Sequence, residues 1–579
     1  MLKNKVIILL LVFAFVTVLS ACNSSDNAEQ ASNNQEDSSD TSDSSTPDSG
    51  DSGGEAEVDY DPLGKYDETI TLSTGICVEP GASKSLPEGD TLEDNEYTRA
   101  VKEDLNIELK EYWSVSCTNK DQKISLSIAS NDLPDAMIVN RVQLRKLVEA
   151  GQIADLSEAV KYALPMSQDA WASSDGKALA SATFDGKLMA IPSSNHSDGS
   201  IKNLWIRKDW LDNLGLEVPQ TLEDLETVAK AFIEQDPDGN GQDDTLGIMG
   251  MDVNDILYST FLEGADQGLG SIFYAKDAYP GYWVEGPDGQ ATYGSVLPET
   301  KEALSFLRDW YDEGLIDTQL GIRKDNNEPI IAGKAGIFFQ SLWAVYEPLS
   351  NAWKGDPTAN WQAYAVPLNG EGKWNQTVNA TSNNFIVVRK DYEHPEAAVK
   401  ALNYRLTYGD YYEFEHGLDA SHIPLRVDTQ MRDQMYRIAE LIERVAIDGE
   451  PREILDVPWE PSLYEQDYDD YLEVKKEPYD EYDLEYWNTD NIVTLPRIYA
   501  RVVGTRPIRD PNRNDISSLV YEQTPTMSER WANLMKLETE TFLKIIMGAA
   551  PLDDFDKFVE DWKKQGGDTI TSEVRDIVK

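Results

Sequence analysis

What most restricts this chain is an alternation of short strand patterns with amphipathic helices, beginning near residue 66. Asp67–Thr74 alternates polar and apolar residues like a strand, Leu92–Leu105 reads as a helix, and Ile107–Val115 as a second strand. A helical stretch near Asp121–Ala129 leads into Asp135–Asn140, a short buried strand, and then into the helix Arg141–Ala150, which Gly151 stops. Helices supply the crossovers that parallel strands need, so this β-α-β-α-β order predicts an α/β unit: a parallel sheet with helices on its faces.

The alternation restarts near residue 195. Gly186–Pro192 is a strand, Ser193–Ser200 a polar segment, and Leu204–Arg207 the first strand of a second α/β unit, followed by a helix Asp209–Leu214 that Gly215 closes. Thr221 and Asp224 form a capping box ahead of Leu225, Val228, Ala229 and Phe232, which share one helical face. Further on, Thr300–Glu313 is a helix, Ala335–Phe339 and Phe385–Val388 are strands, and Pro395 opens another helix. The C-terminus is helical, with one stripe at Leu534, Leu537, Phe542, Ile545 and Ile546 and another at Phe555, Phe558, Val559 and Trp562. Pro458–Asp490 is rich in Tyr and acids and reads as a solvated insertion.

Residues 1–22 read as an export signal. Lys3 and Lys5 precede an apolar run, Val6–Leu19, that is shorter than the ~20 residues a spanning helix needs and suits a signal sequence. Leu19-Ser20-Ala21-Cys22 looks like a bacterial lipobox, which makes Cys22 the site of an acylated, palmitate-type lipid anchor. Residues 23–60 follow as an acidic, disordered tether; up to residue 58 they contain no Lys or Arg. The expected location is the outer face of a bacterial cytoplasmic membrane. Beyond Cys22 only Cys77 and Cys117 remain, and their spacing leaves both a disulfide and two free thiols open.

Composition removes several functions. With 51 basic against 104 acidic residues, the net charge of −53 repels phosphate backbones and argues against nucleic acid. No H-E-x-x-H, C-x-x-C or Walker A pattern is present, and four histidines offer little for metal-hydrolase chemistry. The chain has 14 Trp, as many as Phe, and 27 Tyr. Most belong in a core, but a minority of such flat faces with polar edges suits sugars.

Several stretches in order resemble the extracellular solute-binding lipoproteins of bacterial ABC importers, of the large carbohydrate-binding type (family 1-like). They are the lipobox at Cys22, Asp185-Gly-Lys-Leu-Met-Ala-Ile-Pro192, Leu204-Trp-Ile-Arg-Lys-Asp-Trp-Leu211, Thr221-Leu-Glu-Asp-Leu225, Ala332-Gly-Lys-Ala-Gly336 and Phe555-Asp-Lys-Phe-Val559. The resemblance implies an α/β, two-lobe periplasmic-binding-protein type II-like fold with a hinge and a helical C-terminal region. One lobe takes residues 66–193 and about 378–579 with the C-terminal helices, the other 194–377. It implies a monomer that captures a carbohydrate, in particular an oligosaccharide, and delivers it to a membrane permease, without being an enzyme. A secreted glycoside hydrolase, a sensing or adhesive surface lipoprotein and a peptide-binding importer component remain alternatives.

Ligand contacts are expected beyond the carboxyl ends of the strands. Trp343 follows Ala335–Phe339 at the place where related maltodextrin-type proteins stack a Trp on sugar. Asp252, Asn254 and Asp255 follow Leu246–Met249; Asn195 and His196 follow Pro192; Asn140 ends its strand; Glu79 follows the first strand. Asp236, Asp238, Asn240, Gln242 and Asp244, with Gly241 between them, have the spacing of a calcium loop, although Gly247 stands where an EF-hand places its bidentate Glu. A structural Ca²⁺ is the expectation there.

Overall fold

The computed structural model describes residues 60–578 apart from 79–85, 87–88, 195–196, 252–255, 266, 413–417, 419–421, 457–460 and 476–486. Eleven strands position the site: β1 (Ile70–Val78), β2 (Ile107–Ser116), β3 (Ala136–Asn140), β4 (Ile191–Pro192), β5 (Asn203–Arg207), β6 (Leu246–Met249), β7 (Ala335–Gln340), β8 (Trp361–Tyr364), β9 (Trp374–Val378), β10 (Asn384–Val388) and β11 (Arg513–Ser517).

The first sheet has the order β2-β1-β3-β10-β4. Its N-terminal half follows the crossover expectation: β1 lies parallel to both β2 and β3. The predicted all-parallel sheet is nevertheless mixed, because β10 re-enters from the far side of the chain and pairs antiparallel with β3 and β4. Residues on β10 alternate between the two faces. Ile386 and Val388 join Leu72, Ile107 and Leu109 in one core, whereas Phe385 and Val387 join Met137 and Val139 in the other. Cys77 at the end of β1 and Cys117 just past β2 form a disulfide, which decides the question their spacing left open.

The second sheet has the order β8-β5-β7-β6, with β7 parallel to β6 and antiparallel to β5. It too is buried on both sides. Leu204, Ile206, Ile337 and Phe339 face one core, and Trp205 and Phe338 face the other. The C-terminal helices, assigned from sequence to the first lobe, pack in these two cores. Trp531, Leu534, Phe542, Phe555, Phe558 and Trp562 fill the first. Ile438, Ile442, Tyr499 and Val503 fill the second.

Pro458–Asp490 differs from the solvated insertion its composition predicts. Residues Pro461–Val474 form a helix whose Tyr471 and Val474 are buried, and Trp487 packs edge-on against Tyr499. Acidic residues dominate its outer face, but the aromatic side supplies enough apolar area to dock.

Candidate functional site

The strand β7 ends at Gln340, and a short 3₁₀ turn, Leu342–Val345, follows Ser341. The Trp205 indole N–H donates to the carbonyls of Gln340 (3.1 Å) and Ser341 (3.2 Å), which pins the start of this turn. The turn then turns Trp343 outward. Among the described residues Trp343 is the exposed tryptophan, at 45%, while the others are buried. Tyr346, equally exposed, lies beside it with ring centroids 5.9 Å apart. Two large aromatic faces left in solvent, where the other described tryptophans are buried, mark a surface kept for contact.

A second element faces them. The helix Leu495–Tyr499 widens into a π-turn, Ala500–Gly504, a distortion common at functional sites. Gly504 sits against the 3₁₀ turn so closely that a Cβ there would lie 2.9 Å from Leu342 Cβ, so glycine permits this approach. Arg497 and Arg501, four residues apart, share one face. Behind them Asp467 is fully buried: Arg497 Nη1 donates to Oδ1 at 2.7 Å, and Arg501 Nη1 lies 2.8 Å from Oδ2. Asp470 is a second partner of Arg497. Burial raises the Asp467 carboxyl above its ordinary range, with both arginines pulling it down. Burial likewise raises the Tyr346 hydroxyl, opposed by Arg501 and Arg497.

Trp343, Tyr346, Arg497 and Arg501 line a cavity of about 660 Å³, together with Ser200, Lys202, Ser341, Asp428 and Gln430. That volume lies within the usual range for small-ligand clefts. Asp428 and Gln430 are held by the segment that follows β4. Ser194 N–H donates to the Asp428 carbonyl at 2.7 Å and Gln430 N–H to the Ser194 carbonyl at 2.9 Å, while the Ser382 hydroxyl donates to the Ser193 carbonyl at 2.5 Å. The buried Asp198, just before the lining segment, pairs with Arg513, which also holds Asp515 at 2.7 Å. A smaller cavity of about 270 Å³ adjoins this network, lined by Lys177, Ser194, Asn379, Arg432, Asp515 and Tyr521.

The acidic loop lies apart from this lining. Gly241 N–H donates to Asp236 Oδ2 at 3.0 Å, and the Asn240 side-chain amide donates to Asp238 (2.7 Å) and Asp244 (3.2 Å). Lys334 pairs with Asp244 at 3.0 Å. Asp236 Oδ1 is buried without a partner, and burial, followed by Asp236 and Asp244, raises the Asp238 carboxyl. Among the described residues no three acidic, His or Cys side chains converge tightly enough to hold an ion as they stand. The donor set still suits a hard cation: crowded carboxylates and an orphaned oxygen, with the Asn240 amide nitrogen standing between two acids.

Of the residues expected to contact ligand, Trp343 lines the cavity. Asn140 does not appear in the lining; it caps the helix Arg141–Glu149, accepting from Gln143 N–H at 2.9 Å. Glu79, Asn195, His196, Asp252, Asn254, Asp255 and Cys22 lie outside the described residues. Sequence reasoning missed Tyr346, Asp428, Gln430, Arg497 and Arg501. Arg497 and Arg501 left one signal, a four-residue spacing inside an otherwise apolar helix.

The model of the bacterial extracellular solute-binding protein family matches residues 112–409. Among curated relatives, the polygalacturonan/rhamnogalacturonan-binding protein YtcQ of Bacillus subtilis is 25% identical over 500 residues, covering 83% of this chain and 88% of that one. The fructooligosaccharide ABC transporter substrate-binding protein FusA of Streptococcus pneumoniae is 30% identical over 241 residues, 39% of this chain and 43% of that one. Among solved structures, an HMO-binding, ABC-transporter-associated solute-binding protein from Bifidobacterium longum infantis superposes with a TM-score of 0.56 at 15% identity, covering 88% of this chain and 98% of that one. The alginate-binding protein AlgQ2 superposes with a TM-score of 0.51 at 16% identity, covering 89% and 99%. These likenesses show the two-lobe fold of periplasmic binding proteins, which agrees with the two separate large sheets. The chain therefore belongs to the bacterial extracellular solute-binding proteins.

Proposed function

We propose that this chain is the substrate-binding component of an ABC importer and captures an oligosaccharide in the cavity beside Trp343. The observation that carries the reading is the exposed Trp343–Tyr346 pair on a cavity whose other walls are hydroxyl, amide and charged groups. A sugar presents C–H faces to aromatic rings and hydroxyls to polar partners, and this lining supplies both. The names of the relatives support it: each of the four cited above is called a sugar- or polysaccharide-binding protein or an ABC-transporter component. Binding without chemistry is part of the proposal, so the ligand leaves intact and the partner is a membrane permease. The reading extends to a monomer held by a lipid on Cys22; among the described residues no helix is long and apolar enough to cross a membrane. It includes a structural Ca²⁺ held by Asp236, Asp238, Asn240 and Asp244 with the carbonyl of Gln242, the ion replacing the hydrogen bonds of the Asn240 amide.

The test is a thermal-shift screen of the full chain in detergent against neutral and acidic oligosaccharides, followed by calorimetry on any that raise the melting temperature. Recovered ligand is analysed by chromatography. A shortened sugar overturns the binding-protein reading in favour of a hydrolase, and a panel without a single stabilising sugar overturns the carbohydrate reading.

A further inference from the structure

The lining of the large cavity has a charge pattern unlike the rest of the molecule. The chain carries 104 acidic residues against 51 basic ones, yet Lys202, Arg497 and Arg501 line this cavity with Asp428 as their acidic companion. Asp467 and Asp470 belong to the helix Pro461–Val474 behind the wall and are absent from the lining. They orient the guanidiniums from the rear, as a buried carboxylate does for a functional arginine. Arg501 meets protein at one nitrogen, Nη1, which pairs by charge with Asp467 Oδ2 at 2.8 Å without a hydrogen bond, both atoms being buried. Its Nε and Nη2 donors have no partner among the described residues, although the side chain is only 12% exposed. That pair of parallel N–H groups is the edge on which a carboxylate docks with two hydrogen bonds. A carboxylate meets this edge with full charge, whereas sugar hydroxyls meet it only with neutral, weaker hydrogen bonds. Both arginines line the same cavity as Trp343 and Tyr346.

Resting on the carbohydrate reading above, we infer that the ligand is an acidic oligosaccharide, a uronic-acid type, whose ring lies on Trp343 and Tyr346 while its carboxylate takes the Nε–Nη2 edge of Arg501, with Lys202 and Arg497 adding local positive charge. Long-range attraction plays no part, since the surface as a whole repels an anion. Selectivity arises at contact.

The experiment is calorimetry on the full chain in detergent with two series of short uronate oligomers, galacturonate and mannuronate, each against its own methyl ester. The ester keeps the ring, linkage and length and removes the charge. In at least one series the acid binds about 10- to 100-fold more tightly than its ester, the range expected for charge-assisted hydrogen bonds. Arg501→Gln reduces that acid-over-ester ratio to about threefold or less while ester binding changes little. If this variant does not fold, the wild-type comparison still decides the matter. An ester or a neutral oligosaccharide that binds as tightly as the acids overturns the inference and leaves the carbohydrate reading standing. If no sugar of either kind binds, both fall.

Discussion

Among the described residues two carboxyl groups are fully buried, Asp467 behind the cavity wall and Glu538 inside the C-terminal helix Pro525–Ile546, and their surroundings differ. Asp467 has cationic partners: two guanidiniums within 2.8 Å. Glu538 has hydroxyls. Tyr258 donates to its Oε1 at 2.6 Å, Ser295 at 2.7 Å and Tyr293 at 3.4 Å, while Oε2 has no partner. Burial pushes the Glu538 carboxyl up to about 7, against the pull of those hydroxyls. Equal burial thus produces two uses of the same chemical group. Where arginines are packed against it, the acid orients the cleft; where only hydroxyls are, it holds a proton and seals a core. The partners, not the depth, decide the role.

The comparison breaks most readily at Asp467. Asp467→Ala leaves Arg497 and Arg501 without their shared counter-ion and costs about 3 kcal/mol of stability, measured by chemical denaturation. Asp467→Asn, which keeps the shape, costs less but weakens sugar binding as the guanidiniums lose their fixed orientation. A substituted protein with wild-type stability and affinity would show that the arginines are held by something else.

Glu538 tests the other half through pH. Its folded-state pKa is above the ordinary 4.5, so the folded protein holds this proton more tightly than the unfolded chain does. The stabilisation is complete below about 4.5 and is lost as pH rises through about 7. Between those values wild-type protein loses roughly 2–3 kcal/mol relative to Glu538→Gln, read from denaturation midpoints across the range. Sugar affinity stays unchanged in this variant. A wild-type profile that runs parallel to that of Glu538→Gln would remove the contrast between the two acids.

Smaller effects are expected where the site meets solvent. Trp343→Ala removes the stacking face and weakens the true ligand by roughly tenfold, with melting temperature nearly unchanged because the ring is half exposed. The acidic loop sharpens the comparison further, since its carboxylates have neither a buried arginine nor full burial. Added calcium raises stability by about 1–2 kcal/mol at tens of times its dissociation constant, and chelator reverses this. Asp238→Asn abolishes the response. A melting temperature indifferent to calcium and chelator would leave the loop as a hydrogen-bonded acidic turn.

Local pattern made much of this legible. Capping boxes predict helix starts because side chain and backbone satisfy each other within four residues, and Thr221 with Asp224 forms the expected box. Trp343 was readable because it follows its strand at the place where the resembled maltodextrin-type proteins stack a Trp on sugar. Arg497 and Arg501 left only their four-residue spacing, which does not by itself separate a cleft arginine from a surface one, and Asp467 lies thirty residues from its nearer partner. The direction of β10 escaped for the same reason: a run of Phe, Ile and Val pairs equally well either way.

By itself the chain determined its alternating strands and helices, their ends and its overall charge, since these depend on neighbours within a turn or two of backbone. Only the tertiary structure decided which sheet the C-terminal helices cover, which of many acids are buried, and where cations collect in an acidic protein. Those outcomes depend on surfaces that meet after hundreds of intervening residues have folded, and the free energy of each is set by the partner it finds there.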